Sequence, residues 1–261
     1  LTSTIWAADK VYSVGVVPQF EARRLASIWH PILDHLSHET GLKFELKGAP
    51  TIADFEKAYA KGAYDFVYMN PYHLIVANKL QGYLPLVKDL SKKLRGVLVV
   101  NKSSGIKNVK ELNGKEIAFP SPNALGAALQ MRQELHDIFD ITFTPRYVKT
   151  HDSVYLNVIL KKTAAGGGVG KTLKRQSQQI QKNLIVIHKT LGVSPHPLAV
   201  HPDVPEEVAK QVQEILLMMG KSEKSKKLLA QIPIKEIGPA ILNDYKPLEN
   251  MGLERFYVKP K

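Results

Sequence analysis

Short apolar runs alternate with longer amphipathic stretches through most of the chain. Apolar and β-branched residues dominate 11–17 and 94–102, a pattern typical of buried strands. The stretch 21–41 repeats apolar residues at helical spacing and closes on Gly41, which predicts a helix. Pro31 is expected to kink or divide that helix. Strand and helix in repeated alternation predict β-α-β units and a largely parallel sheet.

The long apolar strand at 94–102 begins a second α/β series, which ends near a strand at 184–190. No low-complexity linker separates the two series, so these two strands are predicted to be the crossings between two α/β lobes. The predicted boundaries are 9–95 for the first part of lobe 1, 96–190 for lobe 2, and 191–261 for the return to lobe 1 and the C-terminal helices.

Composition is that of a soluble globular protein, with 44% hydrophobic and 23% charged residues. No run reaches the roughly 18 consecutive apolar residues of a membrane span. The chain has no cysteine, and its histidines are dispersed without a metal-ligand spacing, so neither a metal nor a cofactor is predicted. Residues 1–8 are uncharged and apolar to small, which favours the remnant of a secretory signal over a first strand or a stretch of surface chain.

Lysine and arginine outnumber aspartate and glutamate by 36 − 24 = 12. The basic residues are spread singly or in pairs, and no basic helix stands out. We therefore predict a basic field that helps to collect anions rather than a surface that binds nucleic acid.

The stretch AGGGVGKT, residues 165–172, is one residue short of a phosphate-binding loop because Ala165 replaces the first glycine. Such a loop must leave a hydrophobic strand and open a helix. The preceding residues 151–162 instead have helical spacing, and no strand ends in a magnesium-binding aspartate. The glycines therefore predict a strand that another backbone approaches closely. Lys171 is not expected to bind a nucleotide.

Two junctions between a strand and a helix share a pattern that favours a ligand. Asn70-Pro71 follows one apolar strand, and Ser121-Pro122 closely follows another, so each places an N-cap residue before a proline at the first helical position. Ligands of open α/β sheets bind outside the carboxyl ends of the strands. The free amides of a helix start favour an anion there. The alternative is two ordinary capped helices.

The sequence resembles the substrate-binding proteins of phosphate, phosphite and phosphonate ABC transporters, the PhnD-like group of type II periplasmic binding proteins. The resemblance runs from about Tyr12 to Val258. It rests on the order of the segments VGVVPQF, WHPILDHLSHETG, YDFVYMNPYHLIVANK, SSGIKNVKELNGKEIAFPSPNALGAAL, THDSVYLNVI, AAGGGV and SPHPLAVHP.

The resemblance implies a two-lobed α/β fold, with two crossing strands and a ligand cleft between the lobes. It implies a non-catalytic protein that closes on a small anionic ligand, such as a phosphonate or phosphate, and delivers it to an ABC permease. Such a protein is a monomer in the periplasm or on a lipid anchor outside the inner membrane. The alternative is a ligand-sensing module of a membrane receptor or histidine kinase. An enzyme is not supported, because no paired carboxylates, nucleophile with base, or metal cluster is evident.

The sequence departs from the family pattern at two places. Family members typically carry a serine- and threonine-rich segment at the helix start of the second lobe, whose hydroxyls hold the oxyanion. Here that segment reads Ser121-Pro122-Asn123-Ala124-Leu125-Gly126. The acidic residue often found before the small-residue strand is also replaced, by Thr163-Ala164-Ala165. Both departures concern the identity of the ligand and leave the fold assignment unchanged.

The residues expected to bind the ligand lie after predicted strands or match positions of the family. Phe20 is either an aromatic wall or a core residue, and Asn70 is either a donor or only a cap. His151 matches a ligand-contacting histidine, either neutral or protonated, and the protonated form predicts tighter anion binding as the pH falls from about 8 to 6. The full predicted set is Phe20, Asn70, Tyr72, Ser121, Asn123, Ala124, His151 and, as a weaker candidate, His196.

Overall fold

The structure is a computed structural model that describes residues 10–232 and 234–260. Residues 1–8, in which the sequence predicts a signal remnant, lie outside the described residues. The chain divides into two compact units. The first unit contains residues 10–93 and Ser194–Lys246, and the second contains Leu94–Val193 and residues 247–260.

The C-terminal boundary differs from the predicted one. The sequence interpretation returns all of residues 191–261 to the first lobe, whereas residues 247–260 belong to the second unit. Hydrogen bonds explain the difference: the side-chain amide of Asn123 donates to the Val258 carbonyl at 2.6 Å and accepts from its N–H at 3.0 Å. The last segment of the chain is thereby fixed to the second unit.

Strands and helices alternate along most of the chain. The strands are β1 (Val11–Val16), β2 (Lys43–Lys47), β3 (Phe66–Tyr68), β4 (Leu84–Asp89), β5 (Gly96–Asn101), β6 (Lys115–Phe119), β7 (Phe143–Tyr147), β8 (Ala165–Val169), β9 (Leu184–Lys189), β10 (Leu198–Val200) and β11 (Ile237–Pro239). The helices are α1 (Ala22–Thr40), α2 (Ile52–Ala60), α3 (Pro71–Gln81), α4 (Gln130–Asp137), α5 (His151–Ile159), α6 (Gly170–Lys174), α7 (Gln178–Lys182), α8 (Glu206–Met219) and α9 (Glu223–Gln231).

Two further kinds of helical turn complete the chain. A π-helical turn, Leu125–Leu129, runs directly into α4, and together they form one helix, the 125–137 helix. The 3-10 turns are Lys102–Ser104, Val109–Leu112, Leu242–Asp244, Lys246–Asn250 and Leu253–Arg255.

The sheet of the first unit has the strand order β11-β4-β10-β3-β1-β2. β1 pairs in parallel with β2 and β3, whereas β10 and β11 pair antiparallel with their neighbours. The sheet is therefore mixed and not largely parallel as predicted, because the returning chain adds strands of the opposite direction. β10 and β11 are absent from the sequence-based prediction, since each contains only three residues and neither shows a period.

The sheet of the second unit has the order β7-β6-β8-β5-β9. β6 pairs in parallel with β7 and β8, while β5 pairs antiparallel with β8 and β9. The two strands predicted as crossings are thus neighbours within this unit. Just outside them, Leu94 and Val193 form an antiparallel bridge with N···O distances of 2.8 and 3.0 Å.

The proline in the first long helix does not divide it. α1 is continuous through Pro31, so the predicted division is wrong. Pro31 and His30 are exposed, whereas Trp29 and Ile32 are buried. The missing N–H therefore lies on the solvent face, and the buried apolar face holds both halves of the helix on the core.

The glycine-rich stretch forms β8, a central strand with β5 on one side and β6 on the other. A Cβ atom on Gly167 would overlap the carbonyl oxygen of Ala127 and lie 2.7 Å from the Phe119 ring. A Cβ atom on Gly168 would overlap the Tyr155 hydroxyl. The absent side chains let the 125–137 helix and α5 pack directly on the strand. The predicted close approach of another backbone is confirmed.

Candidate functional site

Three parallel strands of the second unit end at one edge of its sheet. β6, β7 and β8 end at Phe119, Tyr147 and Val169, and each is followed by the start of a helix. The 125–137 helix follows β6, α5 follows β7, and α6 follows β8. Among the predicted ligand-binding residues, this edge carries Ser121, Asn123, Ala124 and His151.

The 125–137 helix begins without a side-chain cap. The sequence predicts Ser121 as the cap and Pro122 as the first helical residue. Instead, a turn closed by the Ala124 N–H on the Ser121 carbonyl, at 3.3 Å, precedes a helix that starts at Leu125. The cap position is occupied by Ala124, which makes no side-chain hydrogen bond, and the first turn is buried. Because the first N–H groups of a helix lack intrahelical partners, this buried start is a set of donors suited to an anion.

Asn123 and Ser121 differ in what their side chains offer a ligand. Asn123 is fully buried, and its amide already exchanges two hydrogen bonds with the backbone of Val258. The Ser121 side chain is half-buried and makes no hydrogen bond to the part of the chain that the structure describes. Of the two predicted donors, Ser121 therefore offers the hydroxyl, while Asn123 fixes the turn to the C-terminal segment.

His151 begins α5 and is buried, with 2% of its surface exposed. Its Nδ1 atom lies 3.3 Å from the Thr172 hydroxyl, which lies 2.7 Å from the hydroxyl of Tyr155. Burial, and to a smaller extent the charge of Lys171, lowers the pKa of His151 to about 3. The imidazole is therefore neutral from about pH 6 to about pH 8. Of the two predicted forms of contact, the structure favours the neutral hydrogen bond.

In the first unit, the predicted ligand-binding residues also lie at the edge of the sheet where parallel strands end. β1 and β3 are parallel and end at Val16 and Tyr68, and β10 runs antiparallel to β3 with Leu198 opposite Tyr68. The residues that precede β10 therefore lie at the carboxyl end of β3. The predicted residues found at this edge are Phe20, Asn70, Tyr72 and His196.

The helix start in the first unit has a conventional cap. The Asn70 side chain accepts a hydrogen bond from the His73 N–H at 2.8 Å, and Pro71 occupies the first helical position. This confirms the predicted cap and proline. Phe20 and Tyr72 are each 7% exposed, so both are largely buried.

Two polar side chains and one aromatic ring meet beside this cap. The Nε2 atoms of Gln19 and His196 lie 3.3 Å apart. The His196 ring stacks on Tyr68, with ring centroids 5.4 Å apart and an interplanar angle of 26°. The arrangement holds the imidazole in one orientation at the edge of the sheet.

Sequence reasoning missed Gln19, Tyr147 and Arg132 at these edges. Tyr147 is the last residue of β7 and is 41% exposed. Two of them could have been found from the sequence: Gln19 closely follows a predicted strand, and Tyr147 lies at the end of another. Arg132 is buried inside a helix, with its guanidinium carbon 6.0 Å from the Tyr147 ring centroid. Nothing in the sequence marks it.

The described part of the chain contains neither a candidate membrane-spanning helix nor a candidate metal site. None of its helices combines the length and the apolar character that crossing a bilayer requires. None of its histidine, aspartate and glutamate side chains form a group of three or more that could hold a metal ion.

In both mixed α/β units, parallel strands end at helix starts, the place where open α/β sheets bind their ligands. The chain matches the family model of the periplasmic substrate-binding protein of phosphonate ABC transporters over residues 14–245. It belongs to that family, and the resemblance identified from the sequence motifs is confirmed.

Solved structures share the fold at low sequence identity. The chain is similar to PhnD1 from Prochlorococcus marinus in complex with methylphosphonate, with a TM-score of 0.87, 17% identity, and coverage of 95% of this chain and 99% of that one. It is also similar to a binding protein component of an ABC phosphonate transporter from Pseudomonas aeruginosa, with a TM-score of 0.84, 16% identity, and coverage of 94% and 87%. A protein from Xanthomonas citri bound to ATP matches with a TM-score of 0.76, 15% identity, and coverage of 94% and 98%.

The family and the fold fix the broad role. The fold is that of the type II periplasmic binding proteins, as predicted. The family consists of substrate-binding components of transporters and not of enzymes, and it implies a small ligand, a permease partner and an extracytoplasmic location.

Proposed function

We propose that the protein captures a small oxyanion of the phosphonate or phosphate type and delivers it to an ABC permease. The observation that carries the proposal is the buried start of the 125–137 helix, which has no side-chain cap. Its free N–H groups and the positive end of its dipole favour a negative charge. The proposal also rests on membership of the phosphonate-binding family.

In this proposal, backbone amides do much of the work that serine and threonine hydroxyls do in typical family members. Ser121 adds one hydroxyl, and the neutral imidazole of His151 adds one hydrogen bond. Phe20 and Tyr72 form apolar walls for the part of the ligand that carries no charge. Asn70 and His196 complete the polar groups of the first unit.

We further propose that the ligand is captured by closure of the two units, in a monomer that acts in the periplasm or on a lipid anchor. A saturating ligand is then expected to lower the radius of gyration measured by small-angle X-ray scattering. Identical scattering with and without a ligand that binds would contradict closure and leave the binding itself unaffected.

A thermal-shift screen followed by calorimetry tests the proposed ligand class. The panel contains phosphate, phosphite, methylphosphonate and larger alkylphosphonates, with sulfate and acetate as oxyanions of other chemistry. At a ligand concentration of about 100 times Kd, binding to the native state is expected to add about 2.7 kcal/mol to the free energy of unfolding. Stabilisation by acetate alone, or by no phosphorus oxyanion, would contradict the proposal.

A further inference from the structure

Arg132 is a buried cation without a counter-ion. It is 8% exposed, and no carboxylate forms an ion pair with it in the part of the chain that the structure describes. The exposed Arg146 differs, because it pairs with Glu116 at 3.1 Å. A buried charge is costly unless a charge of opposite sign or a full set of hydrogen bonds compensates it.

The nearest acidic residues on the same helix have other partners. Glu134 accepts hydrogen bonds from the Gln130 side chain, the His188 ring and the Leu191 N–H. Asp137 pairs with Arg255. The positive charge of Arg132 therefore stays uncompensated, and burial lowers its pKa from the usual value.

The hydrogen bonds of Arg132 come from only one of its two terminal nitrogens, and they direct the guanidinium to the turn before the helix. One terminal nitrogen donates to the carbonyl oxygens of Pro122 at 2.8 Å and Phe256 at 2.6 Å. The Nε–H group is buried and has no hydrogen-bond partner among the residues that the structure describes. The charge thus lies directly against the turn that leads into the uncapped helix start.

The bond to Pro122 also acts on the amide that follows. The Pro122 carbonyl and the Asn123 N–H belong to the same peptide group, and a cation on the carbonyl polarises that group. A charge a few ångströms away in a buried environment adds to the field of the helix start, because protein surroundings screen it less than water does. Both effects favour an anion at the residues that follow the turn.

We propose that Arg132 is a positioning residue for the oxyanion: it holds the turn of residues 121–124 and supplies the positive charge that an anion at the helix start neutralises. This inference rests on the proposed function and adds a residue that acts through the turn. The ligand class it favours is an oxyanion of high charge density, such as phosphate or a phosphonate dianion.

Calorimetric titration with methylphosphonate tests the role of the charge. Arg132→Gln removes the charge and keeps a polar side chain, Arg132→Lys keeps the charge, and Arg146→Gln is the matched control that removes an exposed charge from the same unit. We expect Arg132→Gln to raise Kd at least about tenfold. Arg132→Lys and Arg146→Gln are expected to stay within about threefold of wild type.

The outcomes separate the charge from the packing. Equal weakening by Arg132→Gln and Arg132→Lys would contradict the inference, because it would assign the effect to the shape of the side chain. Unchanged binding by Arg132→Gln would also contradict it and would leave the proposed function intact. Failure of the wild type to bind any phosphorus oxyanion would contradict the proposed function itself.

A measurement on the wild type keeps the test valid if Arg132→Gln does not fold. The Nε–H resonance of Arg132 can be assigned in protein with isotope-labelled arginine by its loss in Arg132→Lys. It is expected to shift in step with saturation by methylphosphonate, since the group is buried and has no partner. A resonance that does not move at saturation would overturn the role of Arg132.

Discussion

The helix starts at the two sheet edges differ in whether a side chain caps them. α3 of the first unit is capped by the Asn70 side chain, which accepts from the His73 N–H at 2.8 Å. The 125–137 helix of the second unit has Ala124 at its cap position, with no side-chain hydrogen bond, and a buried first turn. An uncapped helix start costs stability, so the difference supports the proposal that the anion binds at the second unit's helix start.

The two helices also rest on their sheets differently. In the first unit, polar side chains fix α3, since His73 pairs with Glu56 of α2 at 2.9 Å in the buried interior. In the second unit, backbone packs against backbone, because Ala127 and Gly126 lie where Cβ atoms of Gly167 and Gly96 would be. Polar side chains therefore position the first helix start. The second is positioned by direct backbone packing, which the lack of side chains on Gly96 and Gly167 allows.

The largest expected effect comes from adding one methyl group beneath the second helix. Gly167→Ala would overlap the Ala127 carbonyl in the centre of the sheet. We expect it to lower the free energy of unfolding by about 3 kcal/mol, the upper range for overpacking a core. Gly170→Ala is the matched control, since the added Cβ meets no described atom within 4 Å beyond its chain neighbours and its own helix backbone, and it should stay within about 0.5 kcal/mol of wild type. Equal stability of the two variants in urea denaturation would contradict this packing.

The next largest effect is a loss of stability at acidic pH that His151 causes. Its pKa is about 3 in the folded protein, against 6.5 for the ordinary side chain. The unfolded chain therefore binds a proton that the native state does not, and stability is expected to fall as the pH drops from 6.5 towards 3. His151→Gln should lose less stability than wild type over this range in chemical denaturation. A His151 ring that NMR shows to titrate near its ordinary pKa would contradict the burial argument.

His151→Ala also tests the ligand contact at neutral pH. A neutral hydrogen bond is worth about 0.5–1.5 kcal/mol, so Kd for methylphosphonate should rise by a factor between about 2 and about 13. His151 adds no pH dependence to binding between about pH 6 and about pH 8, because its imidazole stays neutral there. An alanine variant that binds as tightly as wild type would remove His151 from the site.

Asn70→Ala and Ser121→Ala compare the two junctions directly. Loss of the Asn70 cap should cost about 1 kcal/mol of stability. The Ser121 hydroxyl caps no helix in the described part of the chain, so Ser121→Ala should leave stability within about 0.5 kcal/mol of wild type and weaken oxyanion binding. Thermal unfolding and calorimetry of both variants check this. A larger loss of stability for Ser121→Ala than for Asn70→Ala would contradict the assignment of the caps.

The smallest expected effect is that of Lys171. The glycines before it are residues of a paired strand, so they form no loop around a phosphate chain. Lys171→Ala should change oxyanion affinity by no more than a few-fold, and ATP with magnesium should leave the unfolding temperature of the wild type unchanged. ATP binding that disappears in Lys171→Ala would overturn this interpretation.

Most of the fold could be predicted from the sequence, and the details of the second helix start could not. Long periodic segments such as α1 and β5 predict their own conformation, and the order of strand and helix predicts the two α/β units. β10 and β11 are too short to show a period. The helix starts at Leu125 and not at Pro122, and the turn before it is held by Asn123 bonding to Val258, a contact between residues 135 positions apart. Local patterns carry no information about it.

The central claim is that the uncapped start of the 125–137 helix holds the oxyanion. Ala124→Asp tests it most directly, because an aspartate at the cap position supplies a carboxylate to the same N–H groups. Ala124→Gly is the control, since it leaves those groups free. Calorimetric titration with methylphosphonate is expected to show wild-type-like binding for Ala124→Gly and binding at least about a hundredfold weaker for Ala124→Asp, with both variants folded by circular dichroism. An Ala124→Asp variant that binds methylphosphonate within a few-fold of wild type would contradict the claim.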